Sequence, residues 1–509
     1  MRNFYLLSPE RQREESFARL KKYIRKVVYP YHPYYRKMFK DAGINPSDIR
    51  EPDDLSRIPL TKKDDYRGDP IAFILQPKFP GEPARYDTER IGIDFILKYL
   101  AQAIFNIPRD YAALYRANIH DSFAYLKIGR RVAQEWLPIH FHASAGSTGD
   151  PTPAVYTYRD LHKIIPETAA FSFIGEDIRW DSRALNIFPG APHLAFFQTV
   201  LTKFLSCQSA FDTFGGKVVP TERQIRLFQE GGFQAIVAIP SYLVYWLRLA
   251  SEMVESGEVG PLSELLVAAV AAEPVTPNLK SKLKELAANA GARENFRIIE
   301  GYGMTEAKIA FTECEEGTGI HLNPKYFYWE VVDPDTGKPV KDGEPGVLVF
   351  SHIDWRGTAF LRYYTGDLIA GGVRYEKCEN CGLTFPRLFT PIMRAQKDFT
   401  KIKGTRVSIL DLVNSVRDVP GVYEFQVEIN KEDPNDEFSR DKIKVHIALE
   451  DGYDFRQVEG IVKRRVWEVT EVTPDEVVLE KDREKLEERL FEKTGIKAEY
   501  VVDRRPVHI

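Results

Sequence analysis

An α/β fold in two unequal parts is what this chain predicts, on three observations. Between Ala184 and Ile299 short apolar runs alternate with amphipathic helical stretches, the pattern of parallel strands covered by helices. From His321 to about Ile369 the pattern changes to apolar runs divided by Asp335-Thr336-Gly337 and Asp342-Gly343, which reads as antiparallel sheet. A polar, basic stretch from Arg394 to Gly404 then precedes an α+β unit of about 100 residues. The expected organisation is a large N-terminal domain of mixed and parallel sheets at 1–393, a hinge at 394–404 and a small, mobile C-terminal domain at 405–509. A chain of 509 residues is too long for one ordinary core, so two or more domains fit the length as well.

In chain order, Phe17, Leu20, Tyr23, Ile24 and Val27 recur at helical spacing and predict a helix over 11–28. An aromatic-proline segment (Tyr29 to Tyr35) and a short helix ending near Gly43 follow, and Pro59 to Lys63 marks a further helix start. The helical start spans 1–80, and a helical elaboration spans 81–137. Apolar residues on both sides of Ala143 to Thr152 predict strand, glycine turn, strand. Beyond it we expect a helix at 158–174 and strands at Ala184–Phe188, Lys217–Val219, Ala235–Ile239 and Phe296–Ile299, with a helix at Thr221–Glu230. In the last 100 residues strands are expected at 424–429, 444–449 and 498–502, and helices at 455–467 and 482–493.

Net charge is −4 with both signs mixed, which makes no electrostatic case for nucleic acid. No run of about 18 apolar residues exists to span a membrane, and the N-terminal apolar run is too short for a signal peptide. A cytoplasmic protein is the default expectation. Four cysteines are too few for a disulfide scaffold.

The chemistry concentrates in a few turns. Ser144, Ala145, Gly146, Ser147, Thr148 and Gly149 combine hydroxyls with glycines, which lets successive N–H groups point into one concavity suited to polyphosphate. No P-loop motif is present. Gly301-Tyr302-Gly303-Met304-Thr305-Glu306 is placed at the end of a strand, where ligands of parallel sheets sit. Thr305 can bond a phosphate and Glu306 can hold Mg²⁺; Tyr302 offers an aromatic face to a base. Asp367, in Tyr364-Thr365-Gly366-Asp367, can accept bonds from two ribose hydroxyls. Together with a hinged cap these features describe an ATP site.

On these motifs the chain resembles the adenylate-forming acyl-CoA synthetase superfamily, and within it the phenylacetate–CoA ligase branch. The glycine loop, Gly301 to Glu306, Tyr364 to Leu368 and the hinge Lys397 to Gly404 match that family's motifs in order, and Ala272-Glu273-Pro274 resembles the branch's Gly-Glu-Pro element beside the nucleotide. The resemblance implies the adenylate-forming enzyme fold and a two-step, ATP-dependent reaction. A carboxylic acid is activated as acyl-AMP with release of pyrophosphate, and the acyl group then passes to the thiol of coenzyme A. It implies catalytic roles for Thr305, Glu306 and a C-terminal lysine, and nucleotide contacts from Arg394 and Lys403. Lys497 stands where the branch's ending, Lys-Ala-x-Arg-Val-x-Asp-x-Arg, has that lysine; a solvated residue on a final strand is the other reading. Where the family commonly has lysine, Asp150 stands at the loop's end, and an acid there should face solvent.

Cys378-Glu379-Asn380-Cys381 is a knuckle-like turn, and Cys314 and His321 lie seven apart upstream. These four suit a structural zinc site; three free thiols and a satisfied histidine is the alternative. His193, Phe197 and Tyr242 are placed around the acid, whose aromatic lining favours an aryl or arylalkyl monocarboxylate. A carrier-protein thiol as acceptor, a homodimer, and a nucleotide-binding subunit needing a partner stay open.

Overall fold

A computed structural model of the chain describes residues 4–78, 85–105, 131–143, 152–169, 182–190, 209–394, 399–403, 405–433, 439–491 and 498–505. The alternation that begins at Ala184 forms one six-stranded sheet. Its strands are β3 (Arg183–Asn186), β4 (Ser209–Asp212), β5 (Ala235–Ala238), β6 (Val267–Ala271), β7 (Arg297–Met304) and β8 (Ile309–Thr312), in the spatial order β4-β3-β5-β6-β7-β8. All neighbours are parallel except β8, which turns back against β7. The helices Thr221–Gly231, Pro240–Glu255 and Pro277–Asn289 cover it, burying Ile225, Phe228, Leu243, Trp246 and Leu283.

Two expectations change here. Lys217–Val219 is a turn rather than a strand, since Gly215 takes φ +89° and Val218 is 65% exposed, so the valines have no sheet face to bury. The strand lies earlier, at Ser209–Asp212, too short and mixed to stand out. In addition β7 runs on to Met304, so Gly301 to Gly303 lie within the strand and only Thr305 and Glu306 occupy its end.

The expected antiparallel sheet contains β10 (Phe327–Val332), β11 (Gly346–His352), β12 (Tyr363–Ile369) and β15 (Ile392–Arg394), in that order. Its aromatic face (Phe327, Trp329, Phe350) packs under the N-terminal helices through Phe17, Leu20, Ile24 and Tyr35. The helix Pro9–Tyr23 passes into a π-turn at Ile24–Val28, and the aromatic-proline segment is itself helical, at Tyr29–Tyr31 and Pro33–Asp41, with each proline in the first turn. The sequence around the glycine turn forms the hairpin β1 (Pro138–Ala143) and β2 (Pro153–Thr157), whose last described pair is Ala143 with Pro153.

The stretch read as a linker is partly strand. Arg394 closes β15 opposite Asp367, and β16 (Phe399–Ile402) pairs with β17 (Thr405–Ser408). Lysines flank Ile402 in sequence and hide its alternation, yet Ile402 is fully buried. The following sheet, β20 (Glu476–Leu479), β19 (Asp441–Leu449), β18 (Val422–Lys431) and β21 (Val501–Asp503), is covered by helices Ile409–Arg417 and Phe455–Thr470 around its own valine- and isoleucine-rich core. Polar contacts join it to the rest: Arg248 pairs with Glu424 at 3.0 Å and stacks on Tyr423, and Lys282 pairs with Glu450 at 3.3 Å. No helix among the described residues is long and apolar enough to cross a membrane.

Candidate active site

The turn that carries Thr305 and Glu306 is shaped by its neighbours. Gly303 has no room for a side chain, because a Cβ there would meet the Ala310 Cα at 3.0 Å. Lys308 closes the turn with φ +65°, its N–H bonding the carbonyls of Met304 and Thr305. Its side chain then runs inward and is fully buried. Nζ donates to the Val155 carbonyl at 3.1 Å and to Asp160 Oδ2 at 3.2 Å, and it lies 4.3 Å from the Trp355 ring centre. Asp160 also accepts from the N–H groups of Thr157 and Arg356. Burial pushes the Lys308 ammonium down to about 8, against the pull of Asp160. This pair ties β2, the strand leaving the glycine turn, to the strand end that holds Glu306. Glu306 is nearly buried and faces Lys63 Nζ at 3.3 Å.

Asp367 is set by a bulge in β12. Val347 faces Leu368 but Val349 faces Tyr364, so β12 carries extra residues there, and Gly366 takes φ +74°. Bulges re-aim side chains in this way beside functional sites. Thr365 Oγ1 accepts from the Asp367 N–H at 3.0 Å and donates to the Leu348 carbonyl at 2.8 Å. Tyr302 Oη donates to Asp367 Oδ2 at 2.7 Å. The two motifs thus meet through one hydrogen bond between residues 65 positions apart in sequence. Tyr302 is buried, and its hydroxyl rather than an open ring face is what it brings to Asp367.

A third corner lies where β6 ends. Ala272 takes φ +78°, a conformation that favours glycine. Glu273 accepts from the Ser241 N–H and from Ser241 Oγ, both at 3.0 Å, placing a carboxylate at the N-terminus of the helix Pro240–Glu255. Ser241 Oγ also accepts from the N–H of Ala498 at 3.4 Å. The residue directly after Lys497 therefore touches this corner. Tyr242 Oη shares a hydrogen bond with Thr221 Oγ1 at 2.9 Å, and burial pushes its phenol up.

The structure brings Thr305, Glu306, Tyr302 and Asp367 into one wall and Ala272, Glu273, Ser241 and Tyr242 into another. Lys403 is not brought to either: its ammonium bonds Asp475 at 2.8 Å and the Thr473 carbonyl at 3.0 Å, within the C-terminal sheet's surroundings. Ser144 to Gly149, Asp150, His193, Phe197, Lys497 and the hinge residue Lys397 lie outside the described residues, as does the side chain of Arg394. Sequence reasoning missed Lys63, Asp160 and Lys308. A signal existed for the last: Lys308 stands alone in the apolar run Ala307 to Phe311, where a lysine must be buried with a partner or not at all.

The cysteine cluster is brought together. The ligating atoms of Cys314, His321, Cys378 and Cys381 all lie within 4.8 Å of one another. Cys314 follows β8, His321 ends β9 (Ile320–His321), and the Cys378–Cys381 turn joins β13 (Val373–Arg374) to β14 (Arg387–Leu388), which pairs with β9. Cys314 and Cys378 Sγ are 3.7 Å apart, close to the roughly 3.8 Å edge of a tetrahedron with Zn–S bonds of about 2.3 Å. Hydrogen bonding from Cys381, against burial and with help from His321, holds the Cys314 thiol well below the ordinary range. Asn380 Nδ2 donates to Cys314 Sγ at 3.4 Å. The donor set and spacing fit zinc.

Comparison with known proteins adds to this geometry. Residues 134–359 match the family described as AMP-binding enzyme. The phenylacetate–coenzyme A ligase of Thermus thermophilus is 30% identical over 445 residues, covering 86% of this chain and 80% of that enzyme. The enzyme of the same name from Aromatoleum evansii is 26% identical over 406 residues, covering 78% and 71%. Among solved structures, 2-hydroxyisobutyryl-CoA ligase in its postadenylation state superposes with a TM-score of 0.71 at 18% identity, covering 99% of this chain and 91% of that one. That likeness is one of fold.

Proposed function

The chain belongs to the phenylacetate–coenzyme A ligase family of AMP-binding enzymes, and from that premise we infer how its residues divide the work. It is an AMP-forming acid–CoA ligase. In the first step an oxygen of the substrate carboxylate bonds to the α-phosphorus of ATP, and the bond to the β-phosphate oxygen breaks, releasing pyrophosphate. In the second the thiol, losing its proton, attacks the acyl carbon and AMP leaves. Catalysis of this kind is mostly positioning and charge neutralisation.

The observation that carries the assignment of residues is the Tyr302–Asp367 hydrogen bond, which joins the Thr305–Glu306 strand end to the Asp367 bulge. Asp367 would take the ribose hydroxyls, with Tyr302 fixing its carboxylate. Thr305 would donate to a phosphate oxygen. Glu306 would hold Mg²⁺, which supplies charge neutralisation at the phosphates, and Lys63, now facing Glu306, would shift toward the phosphate oxygens. Ser144 to Gly149, which lie in sequence between β1 and the strand β2 that Lys308 anchors, would cradle the phosphates. Lys497 would approach the α-phosphate, a reading supported by the contact of its neighbour Ala498 with Ser241. Tyr242, with Gly216 against its hydroxyl, would close an acyl pocket for an aryl or arylalkyl acid. Zinc held by Cys314, His321, Cys378 and Cys381 would be structural, since four protein ligands leave no open position.

The test is product formation. Purified protein with ATP, Mg²⁺, coenzyme A and a panel of aryl, arylalkyl and short aliphatic acids should yield AMP and the acyl-CoA of the aryl or arylalkyl acids by mass spectrometry. Thioester formed only on a phosphopantetheinylated carrier protein would replace coenzyme A as acceptor.

A further inference from the structure

A second cavity, of about 740 Å³, lies between the first helix, the helix Ile93–Phe105 and the loop after β11. It is away from the site above. The loop Ile353–Asp354 on its rim follows one end of β11, while Asp367 sits beside the other end, near Leu348; the four steps along the strand from Leu348 to His352 put roughly 13 Å between them.

The cavity is built of cations. Arg19, Lys22 and Lys26 enter from the first helix and its π-turn, and Arg159 and Lys163 from the segment after β2. Lys98, Lys325 and Arg356 complete the set. Only Glu15, Asp94 and Asp354 among the lining residues are acidic. Glu135 and Glu167 stand behind the wall, pairing with Arg356 and Lys325, so eight cations still face five carboxylates, in a chain whose net charge is −4. Among the described residues, neither Arg19 nor Lys22 has a carboxylate within ion-pair distance. Burial and the neighbouring Arg19 and Lys163 push the Lys325 ammonium down to about 8, and burial with Arg159 lowers Lys163. Concentrated positive charge of this kind is relieved by an anion. The remaining wall is apolar and aromatic, with Tyr23, Val27, Phe95 and Tyr326. The volume is that of a small-molecule site.

We propose that this cavity is a second ligand site, taking a small phosphorylated molecule with a planar or apolar portion. The phosphate would sit among Arg19, Lys22 and Lys163, and the planar part against Tyr23 and Phe95. Arg159 lines this cavity while the next residue, Asp160, holds Lys308, so the site adjoins the anchor of the catalytic wall and shares with it Arg356, whose N–H Asp160 accepts.

Direct binding tests this. 1-Naphthyl phosphate, which resembles neither ATP nor coenzyme A, is titrated into the full-length protein in low-salt buffer and followed by calorimetry. We expect saturable binding that survives in Glu306→Ala and weakens at least tenfold in Lys163→Glu and in Lys22→Glu, with inorganic phosphate binding more weakly than the aryl ester. Circular dichroism and thermal unfolding establish that each variant is folded, and Lys22→Gln provides a milder second variant. Absence of saturable binding, binding lost in Glu306→Ala, or binding indifferent to both lysine substitutions would overturn the proposal.

Discussion

The two walls of the site are held in opposite ways. The wall of Thr305, Glu306 and Asp367 is locked from within: a buried lysine–aspartate pair, a β-bulge and the Tyr302–Asp367 bond fix it, and all of these lie in the large body of the chain. Among the described residues, the wall of Glu273, Ser241 and Tyr242 meets the C-terminal part through the Ala498 N–H on Ser241, the Phe491 ring against Tyr242 and, further out, Arg248 on Glu424. One wall is fixed by buried bonds within the large body of the chain, and on the proposed reading it holds the nucleotide; the other borders the C-terminal sheet. That difference suits a reaction in which one bound intermediate is served by two chemistries.

Breaking the fixed wall should have the largest effect. Asp160→Ala leaves the Lys308 ammonium buried without its carboxylate and should destabilise by about 3–5 kcal/mol, read as a lower urea midpoint; Lys308→Met combined with Asp160→Asn should recover most of the loss. The pair also has a pH signature. Burial depresses the folded-state pKa of Lys308 from 10.5 to about 8, so between those values the unfolded chain binds more protons, and stability rises with pH. The cost is therefore full below about pH 8 and is relieved as pH climbs toward 10.5. Relative to Lys308→Met, the wild-type protein should gain about 1–3 kcal/mol across that window, and a flat difference would remove the buried charge from the account.

Next in size is Asp367→Ala, which should slow acyl-adenylate formation by about 10- to 100-fold, the value of one or two charge-assisted hydrogen bonds, with the fold intact by circular dichroism. Zinc removal would act on the same wall from behind, since Cys314 lies two residues past β8. Metal analysis should find one zinc per chain, and a strong chelator should lower Tm by a few degrees; a zinc-free protein with unchanged Tm on chelation would leave the cysteines as free thiols. Smallest is the effect at the border with the C-terminal sheet. Arg248→Ala should change adenylation and thioester formation unequally, by less than about tenfold, whereas equal slowing of both would place Arg248 in the general stability of the fold.

Much of this was legible in the chain because short motifs carry their chemistry locally. The parallel sheet and its helices, the glycine-turn hairpin and the cysteine cluster follow from patterns a few residues long. Lys217–Val219 misled because two valines suggest a strand, while the left-handed Gly215 and open solvent around Val218 decide otherwise. The hinge stretch misled in the other direction, because lysines on both sides of Ile402 in sequence conceal a strand in which Ile402 is fully buried. Tyr302, too, was readable as an aromatic, but its bond to Asp367 depends on a bulge 60-odd residues away. Asp160 and Lys308 could not be paired from sequence at all, since 148 positions separate them.

Acid-dependent ATP–pyrophosphate exchange tests the central claim most directly, because it reports the first step without any acceptor. Measured with Mg²⁺ over the acid panel, the wild-type protein should exchange with aryl or arylalkyl acids, Asp367→Ala should be about 10- to 100-fold slower, and Lys497→Ala should be slowed at least as much. Exchange undiminished in Lys497→Ala would free that residue from its role, and no exchange with any acid would contradict the adenylating site itself.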